Sequence, residues 1–285
     1  MTEPLISLVC STVGRPDALD RLLDSLAASP LAERIELVVV DQSAARCCAR
    51  LVERRPPPGP WTIASSARGA SVGRNVGLAL ATGPVVAFPD DNCWYAPDTV
   101  PQVLQVLRDR PGLAGLSGRQ LTAAGNPSML RWLTRPTLVT RRNFLRTTIC
   151  STLFIRRDAL ATVGPFDETI GVGAPGWVGA GEESDLVLRL LAAGHVVDYR
   201  PDVVVYQDDD RDASTERFVE KMLRYGVGQG HLWRRHRLSV GHLLYLSARK
   251  LAGSGVRALR GRTVLARADL AYLRGTVAGW RGVAP

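Results

Sequence analysis

The 285-residue chain is long enough for one large domain or two small ones, and its 46% hydrophobic and 22% charged residues are those of a globular protein. No window approaches the roughly 18 uninterrupted apolar residues that a bilayer span requires. The formal charge of +9 is uneven: residues 221–285 hold thirteen Lys or Arg and one acid, Asp269, so this tail carries +12 and residues 1–220 carry −3. That split argues against bulk nucleic-acid binding by the body and leaves the tail to meet phosphate in some form. Cys10, Cys47, Cys48, Cys93 and Cys150 are odd in number and lack C-x-x-C spacing. A disulfide framework or cysteine zinc site is not expected, and a reducing cytoplasm fits. The opening MTEPLISLVC has no basic n-region, so no signal peptide is expected.

In chain order, ISLVC at 6–10 predicts a short buried strand, and ALDRLLDSLAAS a helix with Leu19, Leu22, Leu23 and Leu26 on one face. IELVVV at 35–40 is a second strand, followed by a short helix at 44–52 and the stiff PPPGP connection. WTIAS at 61–65 is a third strand, SVGRNVGLALA a helix, PVVAF at 84–88 a fourth strand, and 98–109 another helix. Beyond 112 the pattern mixes short strands and turns. A glycine-rich loop, GPFDETIGVGAPGWVGAG, precedes the helix EESDLVLRLLAA, then strands VVDYR and VVVYQ; helices dominate from 214.

Alternating strands and helices predict a doubly wound, mostly parallel α/β sheet with a C-terminal helical extension. Such sheets bind ligands at the carboxyl ends of their strands. Those ends carry Ser11-Thr12-Val13-Gly14-Arg15, Asp41-Gln42-Ser43 and Pro89-Asp90-Asp91-Asn92. Adjacent acids after a buried apolar strand are costly without a positive partner. Asp90 and Asp91 therefore read either as ligands of a divalent cation that bridges to phosphate, or as a cap cluster for the helix near Pro97. Asp41 reads as an Asx-turn residue or as a hydrogen-bond acceptor for a nucleobase. Arg74 and Asn75, placed in the first turn of their helix, would present charge and free N–H groups to an anion; the plain alternative is a surface arginine. Glu182, Glu183 and Asp185 crowd one helix start. They either complement the helix dipole or include a general base in a pocket closed by the loop, and Asp185 is spaced to pair with Arg189.

Together these segments resemble the inverting glycosyltransferases of family 2, with the GT-A fold. The resemblance covers residues 4 to 236 and rests on ISLVCSTVGRPDALDRLLDSL, IELVVVDQS, SVGRNVGLALATGPVVAFPDDN, GAGEESDLVLRLLAAGH and YGVGQGHLWRRH. It implies transfer of a sugar from a UDP- or dTDP-type nucleotide sugar to the hydroxyl of a lipid-linked or cell-surface glycan, by a hexosyltransferase-like enzyme of polysaccharide biosynthesis. The catalytic domain would span 1–213, with a nucleotide-binding half at about 1–110 and an acceptor half at about 111–213. Residues 214–285 would form a basic helical region. Asp41 would bind the nucleobase, Arg74 with Asn75 the base or diphosphate, and Asp90 and Asp91 ribose and metal. Thr12 and Arg15 would complete the nucleotide-sugar site. Asp91 and Asn92 would hold Mg²⁺ or Mn²⁺, Glu183 would be the catalytic base with Glu182 as fallback, and Trp177 and Asp185 would meet the acceptor. Departures from the family pattern are Val13 for a stacking aromatic, Asn92 for an acid, Glu183 for the commoner Asp, and Gln207 for a metal-ligating His. Asp208-Asp209-Asp210 either compensates or forms a solvated turn.

Two other readings compete. One is a GT-A-fold nucleotide-sugar binder weakened in catalysis. The other is a nucleotide-dependent oxidoreductase, which needs G-x-G-x-x-G after the first strand, where only Gly14 stands. Gly226, Gly228 and Gly230 follow a helix and are in the wrong context. Trp177 reads equally as a sugar-stacking residue or a loop anchor, His195 as structural, and His231 and His236 as facing phosphate or solvent. Leucines alternating with arginines in 238–285 read as basic amphipathic helices. These either lie on anionic lipid at the inner face of the cytoplasmic membrane or cap the sheet.

Overall fold

The computed structural model describes residues 3–207 and 215–285; the Asp208-Asp209-Asp210 run lies outside the described residues. In chain order the elements are β1 (Ile6–Thr12), α1 (Pro16–Ala27), β2 (Ile35–Asp41), α2 (Cys47–Arg54), β3 (Trp61–Ala64), α3 (Ala70–Leu80), β4 (Val85–Ala87), β5 (Cys93–Tyr95) and α4 (Thr99–Asp109). There follow β6 (Leu113–Leu121), β7 (Thr137–Leu138), β8 (Leu153–Arg156), α5 (Arg157–Val163), α6 (Glu182–Ala192), β9 (Val196–Gln207), α7 (Glu216–Arg235), α8 (Val240–Leu259) and α9 (Thr263–Arg281).

The described residues form two compact units: 3–68, 72–166 and 186–207 in one, and 69–71, 167–185 and 215–285 in the other. The first holds the whole sheet, ordered β3-β2-β1-β4-β8-β6-β9-β5, with β7 also on β9. Its first four strands are parallel, as helical crossovers require. Beyond them β8 runs antiparallel to β4 and β6, β6 and β9 are parallel, and β5 and β7 are antiparallel to β9. All seven residues of β2 are buried; five are apolar, and buried Glu36 accepts from the Ser7 hydroxyl and from the N–H and hydroxyl of Thr82. Pro16 opens α1 with a pre-set φ, and Leu19, Leu22, Leu23 and Leu26 close over Ile6, Leu8, Ile35 and Leu37 in one core.

Three expectations need correction. VVDYR and VVVYQ are one 12-residue strand, β9. Pro201 lies where the β6–β9 register shifts, between Ser117 and Arg119, so its missing N–H interrupts no ladder bond. Helix α3 starts at Ala70, so Arg74 and Asn75 stand in its second turn, where backbone N–H groups are already spent within the helix. Strand β5 separates Asp90 and Asp91 from α4, so neither caps that helix.

In the helical unit, α7 and α9 approach backbone to backbone. A Cβ at Gly226 or Gly230 would lie 2.0 Å from the carbonyl of Tyr272 or Thr276, and one at Gly275 or Gly279 2.1 Å from that of Leu223 or Val227. The glycine pattern is thus a packing device and not a phosphate loop. Thr215 and Ser239 cap α7 and α8 through side-chain oxygens. Lys250 and Arg257 of α8 both pair with Asp269 of α9.

Candidate active site

Within the sheet unit, carboxylates gather at the carboxyl ends of β2 and β4, on either side of β1. Thr12, the last residue of β1, is in register with Asp41, the last residue of β2. Thr12 Oγ1 donates to Asp91 Oδ2 at 2.5 Å and also accepts the Gly14 N–H at 3.1 Å. Arg15 grips the same carboxylate with both prongs, Nε on Oδ2 at 3.2 Å and a terminal nitrogen on Oδ1. Asp91 is buried while Arg15 is 44% exposed, so the pair has one fixed and one solvent-facing member. Beside it, buried Arg74 reaches half-exposed Asp90 at 3.2 Å, with its guanidinium over the Phe166 ring. Cys10 and Cys93 are fully buried, and burial together with the charges of Asp91 and Asp90 pushes their thiols well up. Both effects favour the neutral thiol over the nucleophilic thiolate.

Asp41 makes the Asx turn: Oδ1 accepts the Ser43 N–H at 2.9 Å and its hydroxyl at 2.6 Å, while Oδ2 accepts the Ala49 N–H in the first turn of α2 at 2.9 Å. Burial opposes its charge, but these hydrogen bonds outweigh burial and hold the carboxyl below the usual value of 3.8. Asn75 staples α3 to the backbone of Phe166. Its Nδ2 donates to the Phe166 carbonyl and its Oδ1 accepts the Phe166 N–H, both at 2.9 Å.

A hard divalent cation takes oxygen ligands. Asp91 and Asn92 supply that chemistry, but Asp91 is engaged by Thr12 and Arg15, and Asn92 Oδ1 accepts the Gln207 amide at 2.8 Å. A cation fits there only where Arg15 yields the carboxylate. Asp41, Cys47 and Cys48 also present ligand atoms within 4.8 Å of one another. Two sulfurs suit a softer metal, and burial drives the Cys48 thiol to about 11, so this second cluster does not suit Mg²⁺ or Mn²⁺.

Within the helical unit, α6 begins with its three acids after Gly181, whose φ of 101° favours glycine. Glu182 is buried, with its carboxylate against Gly171; a Cβ there would lie 2.9 Å from Oε2. Glu183 is partly exposed. Asp185 is fully buried, held by His236 Nε2 at 2.8 Å and Arg235 Nε at 3.1 Å, and Arg235 also binds Asp167 at 2.6 Å. Burial removes Asp185 from any acceptor surface, and His236 meets a carboxylate rather than phosphate or solvent. His231 is half-buried, and its Nε2 has no hydrogen-bond partner among the described residues. Trp177 is 44% exposed, so it is not a core anchor; the Arg224 guanidinium lies 5.8 Å from its ring and donates to the Gly176 carbonyl at 2.7 Å.

Sequence reasoning missed Arg224, Arg235 and the contacts of Gln207 and His236, because no local spacing ties them to their partners. His195 is structural, bonding Thr162 Oγ1 at 2.7 Å.

This geometry has relatives. The succinoglycan biosynthesis protein ExoM of Rhizobium meliloti (strain 1021) is 29% identical over 235 residues, 78% of this chain and 72% of that protein. A mannosyltransferase from Pyrobaculum calidifontis, solved in complex with GDP-Man and Mn²⁺, superposes with a TM-score of 0.63 at 15% identity over 98% of this chain and 87% of that one. TarS of S. aureus matches with a TM-score of 0.58 at 19% identity; the match covers 78% of this chain but only 39% of TarS. Its fragment 1–349 in complex with UDP-GlcNAc gives 0.60 at 16% identity, over 98% and 92% of the two chains. These structures share the fold, which is GT-A-like. The model of Glycosyl transferase family 2 matches residues 7–163, more than half of the length, and the chain belongs to that family of glycosyltransferases.

Proposed function

We propose that the chain transfers a sugar from a nucleotide-sugar donor to an acceptor hydroxyl with inversion at the anomeric carbon. The acceptor would be a lipid-linked or cell-surface glycan. The observation that carries this reading is the carboxylate–arginine cluster at the ends of β1, β2 and β4: Asp41, Asp90 and Asp91 with Thr12, Arg15 and Arg74. A nucleotide sugar needs acceptors for base and ribose hydroxyls and positive charge for its diphosphate, and this cluster offers both. Relatives solved with UDP-GlcNAc and with GDP-Man support a nucleotide-sugar donor, and ExoM's part in succinoglycan biosynthesis supports a polysaccharide acceptor.

On this reading Asp41 binds the base with its remaining lone pairs, Asp90 the ribose, and Arg15 and Arg74 the diphosphate. Glu183, at a helix N-terminus that favours a carboxylate, accepts the proton of the acceptor hydroxyl as its oxygen attacks; Glu182 is the alternative base. Trp177 offers a face for a sugar ring. A Mg²⁺ or Mn²⁺ held by Asp91 and Asn92 would neutralise the departing diphosphate, a role Arg15 and Arg74 share electrostatically. Residues 1–213 would carry the chemistry, at the inner face of the cytoplasmic membrane.

The test uses Glu183→Gln. Donor binding, measured by calorimetry with UDP-, dTDP- and GDP-sugars, should stay within about twofold, while transfer falls by about 10²–10⁴-fold. Unchanged turnover would move the base elsewhere, and absence of nucleotide-diphosphate binding in the unsubstituted protein would overturn the donor site.

A further inference from the structure

Helix α8 is inside out. At about 100° per residue, Val240, Leu244, Tyr245, Leu251, Val256 and Leu259 share an arc of about 160°. All six are exposed, Leu259 at 91% and Leu244 at 64%. The three charges of the helix, Arg249, Lys250 and Arg257, and Arg260 at its C-cap fall in an arc of about 100° on the other side. Two of these point inward: Lys250 and Arg257 pair with the buried Asp269 of α9. A helix stabilised only by its own unit would turn the leucines in and the charges out. Here the polar side is satisfied by Asp269, and the apolar side is left at the surface.

The charge around that face is of one sign. Residues 238–285 contain eight Lys or Arg and a single acid, and that acid is the neutralised Asp269. Arg249 and Arg260 border one edge of the apolar arc, and α9 adds exposed Arg274 and Arg281 interleaved with Leu270, Val277 and Trp280. A second copy of the same surface would set arginine against arginine. A nucleic acid would satisfy the arginines and leave the leucines in water. A bilayer with anionic headgroups satisfies both: apolar side chains enter the headgroup–acyl boundary, arginines reach phosphate, and Tyr245 and Trp280 suit the interface.

We propose that α8, supported by α9, docks flat on an anionic phospholipid surface through Leu244, Leu251 and Leu259, with Arg249, Arg260, Arg274 and Arg281 on the headgroups. The inference does not depend on the transfer reaction. The chain has no helix long and apolar enough to cross a membrane among its described residues, so the attachment proposed is interfacial.

The full chain is floated with vesicles of phosphatidylcholine and phosphatidylglycerol in equal parts, and with phosphatidylcholine alone. Binding should be at least about tenfold stronger to the mixed vesicles and should weaken as salt rises. Leu244→Glu with Leu251→Glu, at exposed positions that spare the fold, should lose binding at least about tenfold while melting temperature holds. Arg274→Gln with Arg281→Gln should lower binding to mixed vesicles and leave any binding to neutral ones unchanged. Equal binding to both vesicle types, no flotation, or flotation indifferent to the glutamates would overturn the proposal. So would self-association, or RNA binding, that the glutamates abolish while flotation remains.

Discussion

The two units solve the problem of burial in opposite ways. In the sheet unit, Ile6, Leu8, Leu19, Leu22 and Leu37 are sealed in one apolar core, and the charges collect at strand ends. In the helical unit, the α7–α9 contact brings glycines and polar groups together: Gly226, Gly230, Gly275 and Gly279, with Tyr272 of α9 donating to Gln229 of α7, while Thr276 donates to the Tyr272 carbonyl within α9. Of the large apolar residues on α8, Leu243 is buried, and Val240, Leu244, Tyr245, Leu251, Val256 and Leu259 face outward. The contrast teaches that hydropathy alone does not say which side of a helix is inside. Close backbone approach brings dispersion contacts and weak C–H···O contacts that stand in for leucine packing, and it frees leucines for another surface.

The sharpest way to break this comparison is to truncate one leucine in each unit. Leu37 is 0% exposed in the middle of β2, and Leu37→Ala should destabilise by about 2–5 kcal/mol through lost transfer energy and a residual cavity. Leu251 is 56% exposed on α8, and Leu251→Ala should change stability by no more than about 0.5 kcal/mol. Urea denaturation followed by far-UV circular dichroism measures both. A Leu251→Ala loss approaching that of Leu37→Ala would show that α8 is packed in solution and would undo the contrast.

A smaller effect tests the glycine contact. Gly279→Ala places a Cβ 2.1 Å from the Val227 carbonyl, and backbone cannot move aside as a flexible side chain can. The helix-propensity gain of about 1 kcal/mol is offset by overpacking of about 1–3 kcal/mol, so a net loss is expected. Gly253→Ala, with only the far end of Arg257 at 3.9 Å, should instead stabilise. Calorimetric melting of the two variants reads opposite signs. A gain at both positions would mean that the helices do not touch.

These distinctions mark what the sequence makes legible. Strands β1 to β4 follow from short apolar runs between helical periods, and the acids at their ends stand out because a buried strand tolerates no unpaired charge. Strands β5 and β7, of three and two residues, carry no periodicity, and Pro201 hides the continuity of β9. The carboxylates of the site are readable but their partners are not: Asp91 meets Arg15 across 76 positions, Asn92 meets Gln207 across 115, and Asp185 meets His236 across 51. One further signal lies in the glycines. Gly226 and Gly230 on one helix match Gly275 and Gly279 on another at the same spacing of four, which marks a close crossing. Which arc of α8 faces inward depends on Asp269, a partner on another helix that no periodicity reveals.

The smallest predicted effect separates the units by pH. In the sheet unit Asp41 is held below 3.8, where hydrogen bonds from Ser43 and Ala49 outweigh burial. A depressed carboxyl stabilises the fold above its unfolded value, and that contribution is lost as pH falls below 3.8. In the helical unit His231 is pushed below 6.5, first by burial and then by Arg235 and Arg234, against the opposing pull of Asp185 and Asp167. A buried neutral imidazole binds fewer protons than the unfolded chain does, so its cost begins as pH falls through 6.5 and grows until the folded group itself protonates. His231→Gln should therefore flatten the melting-temperature profile just below 6.5 and leave the acid limb in place, while Asp41→Asn should do the reverse. Differential scanning calorimetry across both limbs reads the two variants side by side. If His231→Gln leaves the upper limb as steep as before, the imidazole is solvated in solution, and the polar packing described for α7 does not exclude water there.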